Sequence, residues 1–352
     1  MANQNIRTPR FYTDLINYHR SRGALVGSIT ATNASNGFVG LPTTNTVGDI
    51  LDLKPLNQVT FDTSADTDGH VLFNVIFTTA AYKQNYVAIL NHNLNSCDGR
   101  FKIFAGNFST DITALDGANA ETTDINWSTM STTEIVNADT IAATDSNVTV
   151  TITPASDGTT LLTFNETAFR YWAIQFEGDT AWDNSTDFKL GGIMIGEYFD
   201  MPQSPDLQLT RRIHYDKVDI QESLGGQRYG NAANFGRTAS STSRSPFSVG
   251  TYGQTTYGGR IIYDMNFSFL QASDLLPNET TVYQFANDSV ISDAWNLTDG
   301  PHRPFIFSID NTSTGSNAES EHMFARFNQD SLDMQQVAPD VYNINLSIAE
   351  EF

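Results

Sequence analysis

The sequence predicts a mainly β protein, built as an N-terminal arm, a jelly-roll or β-sandwich domain, and a second β-rich domain carrying one helix. Three observations predict it. The segment Tyr342-Asn343-Ile344-Asn345-Leu346-Ser347-Ile348 alternates apolar and polar residues strictly, the period-two signature of a strand with one face on a core. Charged residues make up only 17% of the chain, so Asn, Thr, Ser and Gln must supply the polar surface; Thr suits strands, while Asn and Ser suit turns. Short apolar runs are separated by turn clusters such as Asp66-Thr67-Asp68-Gly69, Asn91-His92-Asn93 and Asp183-Asn184-Ser185-Thr186-Asp187, the spacing of a sandwich or jelly roll.

Residues 1–23 are set apart by charge. Arg7, Arg10, Arg20 and Arg22 stand against one acid, Asp14, in an otherwise acidic chain. Pro9 stops any helix before it, and Phe11, Leu15, Ile16 and Tyr18 form one face of a short helix or docking arm. Two readings stay open: an element that caps its own domain, and a basic arm that docks on an acidic neighbouring copy through Arg7, Arg10, Phe11 and Tyr12.

Residues 24–200 form the sandwich. Val71, Phe73, Val75 and Phe77 alternate with Leu72, Asn74 and Ile76, and Trp172, Ile174 and Phe176 alternate with Tyr171, Ala173 and Gln175. The continuous apolar run Tyr86-Val87-Ala88-Ile89-Leu90 predicts a central strand buried on both faces. Between Lys102 and Arg170 there is no base but nine acids, read as a solvated face or as the partner of the basic segments.

Pro202 and Pro205 mark the boundary, and residues 201–352 form the second domain. Its residues 225–260 are rich in Gly, Ser and Arg and contain no acid. They interleave Arg228, Arg237, Arg244 and Arg260 with Tyr229, Tyr252 and Tyr257, which reads either as an arm between subunits or as a long internal hairpin. Beyond it, Ile261, Tyr263, Met265, Phe267 and Phe269 alternate as a strand. Residues 272–297 carry the helix, with Ser273 or Asp274 as its N-cap, and Phe305, Phe307 and Ile309 form a further strand.

Forty acids against 19 bases give a net charge of −21, which argues against nucleic acid as a partner and favours solubility. Twenty-three Phe and 13 Tyr supply the bulk of the core. Cys97 stands alone, so neither an internal disulfide nor a Cys-based zinc site forms. No run reaches the ~20 apolar residues of a membrane span, and the first residues lack the apolar stretch of a signal peptide.

Catalytic signals are weak. The six histidines are scattered, no nucleophile elbow or phosphate loop occurs, and the expectation is a protein that is not an enzyme and has no cofactor. Asp62, Asp66 and Asp68 have the oxygen-rich look of a calcium loop but lack its closing Glu, so an ordinary turn is the plainer reading. Trp182, beside Asp183 in a turn, is the better candidate for an exposed ring, although burial is the commoner fate of any single Trp; with His92 and Asn93 these form the candidate glycan contacts.

A resemblance rests on these segments. Asn85 to Leu94, Arg100 to Gly106, Arg170 to Phe176 and Leu190 to Glu197 resemble the strands of discoidin-like (galactose-binding-like) jelly rolls in bacteriophage tail proteins. The opening Arg7-Thr8-Pro9-Arg10-Phe11-Tyr12 is similar to starts of minor structural proteins from marine phages. Arg303 to Asp310, followed by a terminal strand ending in Ala349-Glu350-Glu351, resembles tail-tip or distal-tail domains. The resemblance implies a virion component made in the host cytoplasm, a homo-oligomer assembling with other virion proteins and contacting host-surface glycans. The alternatives are a head-decoration or neck protein, a free carbohydrate-binding adhesin, and a glycoside-active enzyme.

Overall fold

The computed structural model describes residues 6–23, 47–77, 83–106, 133–136, 140–143, 150–214, 219–231, 260–276, 291–314 and 318–351. The first 200 residues carry β1 (Arg10–Asp14), α1 (Leu15–Ser21), β2 (Val59–Phe61), β3 (Val71–Ile76), β4 (Gln84–His92), β5 (Gly99–Gly106), β6 (Thr133–Val136), β7 (Thr140–Ala143), β8 (Val150–Thr153), β9 (Gly158–Thr167), β10 (Tyr171–Gly178), β11 (Phe188–Leu190) and β12 (Gly192–Asp200). The remainder carries β13 (Thr210–His214), β14 (Asp219–Glu222), β15 (Arg228–Asn231), β16 (Arg260–Gln271), α2 (Ala272–Leu275), α3 (Ile291–Leu297), β17 (Phe305–Ser308), α4 (Ala318–Glu321), β18 (His322–Phe327), β19 (Met334–Ala338) and β20 (Val341–Glu350). The protein is mainly β, as its alternation predicts.

An 11-stranded antiparallel sheet runs β13-β16-β20-β18-β17-β1-β12-β4-β9-β6, with β19 also paired to β20. A five-stranded sheet, β3-β10-β5-β8-β7, shares one apolar core with it. Val71, Phe73, Val75, Trp172, Ile174 and Phe176 from the smaller sheet join Val87, Ile89, Ile193 and Ile195 from the larger. The opposite face of the large sheet is buried as well, by Tyr12, Tyr86, Ala88, Leu90, Met194 and Phe324. That double burial is why β4 reads as an unbroken apolar run: all nine of its residues are buried. In β20, Ile344, Leu346 and Ile348 are buried while Asn345 is exposed, as the alternation requires.

β1 corrects the docking-arm reading for Arg10, Phe11 and Tyr12; residues 1–5 lie outside the described residues. It lies in the middle of the large sheet, paired on one edge with β12 (Phe11 opposite Phe199) and on the other with β17 (Phe11 opposite Phe307). Phe11 and Tyr12 are buried, and the Phe11 ring meets Phe305, Phe307 and Phe327 with centroids 5.4–5.9 Å apart. Neither residue can reach another copy in this fold. Arg10 forms a two-pronged ion pair with Asp200 (2.6 and 2.8 Å) and lies 3.9 Å over the Tyr198 ring, so its charge is spent inside the chain. Its pKa, which burial alone would lower, is held up by the Asp200 partner. Arg7 stays exposed at the edge, 3.9 Å from Asp310.

Asp14 then turns the chain into α1 as its N-cap, accepting from the Ile16 and Asn17 N–H groups (3.0 and 3.1 Å). Close strand approach at this junction depends on Gly196, where a Cβ would lie 1.9 Å from the Thr13 carbonyl oxygen. Residues 201–206 leave β12 as the prolines predict, yet the large sheet and its core continue across them into β16, β17 and β20. The helix expected over 272–297 appears as α2 and α3, with residues 277–290 outside the described set. Leu276 is extended (φ −120, ψ 133) because Pro277 follows it. Gln271, not Ser273 or Asp274, is the N-cap; Asp274 instead accepts from the Gln271 N–H at 2.9 Å.

Candidate functional site

Two regions hold the candidate residues. The first is the loop end of the sandwich, where the turns after β4, β8 and β10 come together around a cavity of about 260 Å³ lined by Asn95, Asp98, Thr153 and Asp179. Trp182, the candidate for an exposed ring, is 3% exposed and shares the burial that is the commoner fate of a single Trp. Its indole N–H donates to the Gly69 carbonyl at 2.6 Å, and its ring stacks on Phe188 at 5.4 Å. The ring fits because Gly99 has no side chain: a Cβ there would come 2.5 Å from the indole.

His92 is also interior, at 1% exposure, bonded to the Thr160 hydroxyl (2.9 Å) and accepting from the Leu94 N–H through Nδ1 (3.3 Å). Burial pushes its pKa down to about 3, so the imidazole is neutral. Asn93 accepts from the Lys189 N–H (2.6 Å) and donates to the Asp187 carbonyl (2.9 Å), which ties the β4 end to β11. Asp183 folds its carboxylate onto Ser185, accepting from both N–H (2.7 Å) and hydroxyl (2.6 Å); those bonds hold its pKa below the usual range. Trp182, His92 and Asn93 are therefore structural, and this end presents no aromatic platform built from them.

Asp62, Asp66 and Asp68 do not converge. No group of three His, Cys, Asp or Glu side chains able to hold a metal ion occurs among the described residues, and Asp66 instead sits in successive turns with Thr63 and Gly69. Beside this loop lies an ionic cluster that sequence reasoning missed. Glu177, 5% exposed, receives Arg100 at 2.7 Å, Lys102 at 3.1 Å and His70 at 3.4 Å. Burial alone would raise its pKa, but the His70 bond, the Lys102 charge and the Arg100 bond outweigh it and hold the carboxyl at about 2. The only signal in the sequence is that Arg100, Lys102 and Glu177 sit at alternate positions of their strands.

The second region projects from the sheet edge. Among the described residues β13 is the edge strand, all five of its residues exposed, paired along β16 alone from Thr210–Asp264 to His214–Arg260. β14 and β15 then form a hairpin that is its own two-stranded sheet, closed by a turn in which Gly226 takes φ +80 and donates to the Ser223 carbonyl. Leu207, Ile213, Ile220, Leu224 and Tyr229 in this stretch are 51–112% exposed. Arg228 pairs with Glu222 across the hairpin at 3.1 Å, and Arg212 pairs with Asp264. Two isolated strands are marginal in water without an apolar partner.

Arg228 and Tyr229 thus lie on the hairpin and Arg260 begins β16, while Arg237, Arg244, Tyr252 and Tyr257 fall outside the described residues. The projecting surface starts earlier than its composition indicates, at Leu207. Isolated apolar residues such as Ile213 and Ile220 look like core positions in a sequence; only their place on an edge and a free hairpin distinguishes them. Among the described residues no helix is long and apolar enough to cross a membrane. Comparison with known protein families, with curated proteins and with solved structures finds no match to this chain.

Proposed function

We propose that this chain is a non-enzymatic structural component of a bacteriophage virion, of the tail or tail tip, that assembles with further copies or neighbouring virion proteins through its projecting hairpin. One observation carries the reading: residues 207–214 and 219–231 expose five large apolar side chains, in the turn before the edge strand, on that strand, and on a hairpin that pairs with no other sheet among the described residues. An exposed edge of this kind is a template for another chain unless it is covered, and assembly covers it. The net charge of −21 sets an acidic body against Arg211, exposed on β13, while Arg212 and Arg228 are already paired with Asp264 and Glu222, so geometry more than charge gives register to packed copies. The discoidin-like likeness of the sandwich stays part of the proposal, but host-glycan contact loses its candidates Trp182, His92 and Asn93 to structural duty.

The test is solution mass by size-exclusion chromatography with light scattering, on the full chain and on a variant carrying Ile220→Asp and Tyr229→Asp. A defined oligomer that the variant loses, with its melting temperature unchanged, is the expected result. A full-length chain that stays monomeric at its highest soluble concentration refutes self-assembly through the hairpin, and so does a variant that assembles as well as the parent.

A further inference from the structure

The structure holds a second cleft, of about 490 Å³, on the seam where α1 meets the C-terminal half of the chain. The end of α1 supplies Arg20 to it, the loop after the 3-10 turn at Val47–Leu51 supplies Lys54, the turn before β17 supplies His302 and Arg303, and β18 supplies Arg326. With Arg22, whose guanidinium lies 2.7 Å from Asp299 beside Arg303, five of the 19 bases of the chain gather on this seam. In a protein of net charge −21 that gathering is the reverse of the general surface.

We propose that this cleft binds a compact oxyanion, a phosphate or sulfate group, free or as a monoester on a sugar. Its floor is fixed in advance. Arg303, 6% exposed, is anchored by the Leu297 carbonyl (3.2 Å), the Ser21 hydroxyl (2.6 Å) and Asp299. Arg326 is clamped by the Pro301 carbonyl (3.0 Å) and the His302 carbonyl. Neither guanidinium must be ordered on binding, which removes part of the entropic cost of capturing an anion.

The acids of the seam offset part of this charge and leave Arg20 and Lys54 as the bases open to a ligand. Asp299 is bridged by Arg22 and Arg303, and Asp52 accepts from the Lys54 N–H (2.7 Å) and the Asn57 amide (3.1 Å) of its own loop. Glu351 lies 3.6 Å from Arg326. Arg20 and Lys54 are exposed, and among the described residues neither makes an ion pair; Arg20 gives one N–H to the Leu51 carbonyl at 3.2 Å. A guanidinium carries five N–H donors and an ammonium three, so both retain donors for a ligand. The Arg303 pKa is lowered, by burial foremost; Asp299 opposes this and Arg22 adds to it. The volume falls in the range of small-ligand pockets, enough for one sugar ring and its anionic group.

Isothermal titration calorimetry on the full chain at low ionic strength tests this with three probes: inorganic phosphate, inorganic sulfate and glucose 6-phosphate. Saturable single-site binding is expected, and Arg20→Gln with Lys54→Gln should weaken it at least about tenfold, since each lost charged hydrogen bond costs ~1.5 kcal/mol or more. Both positions are exposed, so the melting temperature of the double variant should match the parent. Lys189→Gln, an exposed base on β11, should leave binding unchanged. Tighter binding of the sugar phosphate identifies a monoester site; equal binding of all three identifies a free-anion site. No saturable heat with any probe, or equal weakening by Lys189→Gln, overturns the proposal.

Discussion

Phe11→Ala separates an integral β1 from a docking arm. Phe11 is fully buried, and its ring meets Phe305, Phe307 and Phe327 at 5.7, 5.4 and 5.9 Å between centroids. Truncating a buried Phe to Ala costs ~3–5 kcal/mol from lost transfer energy and the cavity left behind. Three aromatic pairs at ~0.5–1.5 kcal/mol each are consistent with the middle of that range. The expected loss is therefore about 4 kcal/mol, or roughly 8 °C in melting temperature at ~2 °C per kcal/mol for a large chain. Urea unfolding followed by tryptophan fluorescence measures it, with solution mass recorded alongside. A loss under ~1 kcal/mol together with a changed oligomeric state would refute the reasoning, because β1 would then be serving another copy.

The remaining predictions concern ionisation and close packing. Glu177 has a folded pKa depressed from 4.5 to about 2, so its stabilisation is present above 4.5 and lost as pH falls towards 2. At ~1.36 kcal/mol per unit, Glu177→Gln should cost up to about 3 kcal/mol at neutral pH and much less near pH 2, and an equal cost at both would sink the account. His92 is held neutral with a pKa of about 3 against 6.5 in the unfolded chain, so its stabilisation is full above 6.5 and is lost progressively as pH falls from 6.5 towards 3. Urea midpoints at neutral pH and about pH 5 should show ~2 kcal/mol more acid loss in the parent than in His92→Gln. Gly196→Ala forces a Cβ to 1.9 Å from the Thr13 carbonyl oxygen, so soluble yield and melting temperature should both fall; an unchanged melting curve would mean β1 and β12 are less tightly joined than described.

Strand existence was legible where one periodicity dominated. The Tyr86–Leu90 run and the alternation of β20 read correctly because burial on two faces, or on one, prints directly into residue order. The place of β1 was not legible. Arg10 looks like surface chemistry until Asp200, 190 positions away, is brought against it. Trp182 sits among turn residues, which left exposure and burial both open; the space left by Gly99 takes the ring inward, a fact of three-dimensional neighbours alone. His92 and Asn93 read as a polar turn because their partners, Thr160 and the backbone of β11, lie far along the chain. The edge hairpin was half legible: the acid-free composition from residue 225 marked β15, while nothing local marked β13 or β14.

The central position of β1 also bears on the order in which the fold can close. Residues 10–14 are synthesised well before either strand partner, one completed only at Asp200 and the other only at Ser308. Until residue 308 has emerged, β1 has at least one unpaired edge, and Phe11 lacks the rings it packs among. Contacts this distant in sequence slow folding, since the intervening loop entropy is spent before they form. Synthesis should therefore pass through a long-lived nascent state with an apolar strand still seeking its neighbour, a state that holding chaperones recognise. Truncated chains ending before β17 should be captured by such chaperones, and full-length chains released.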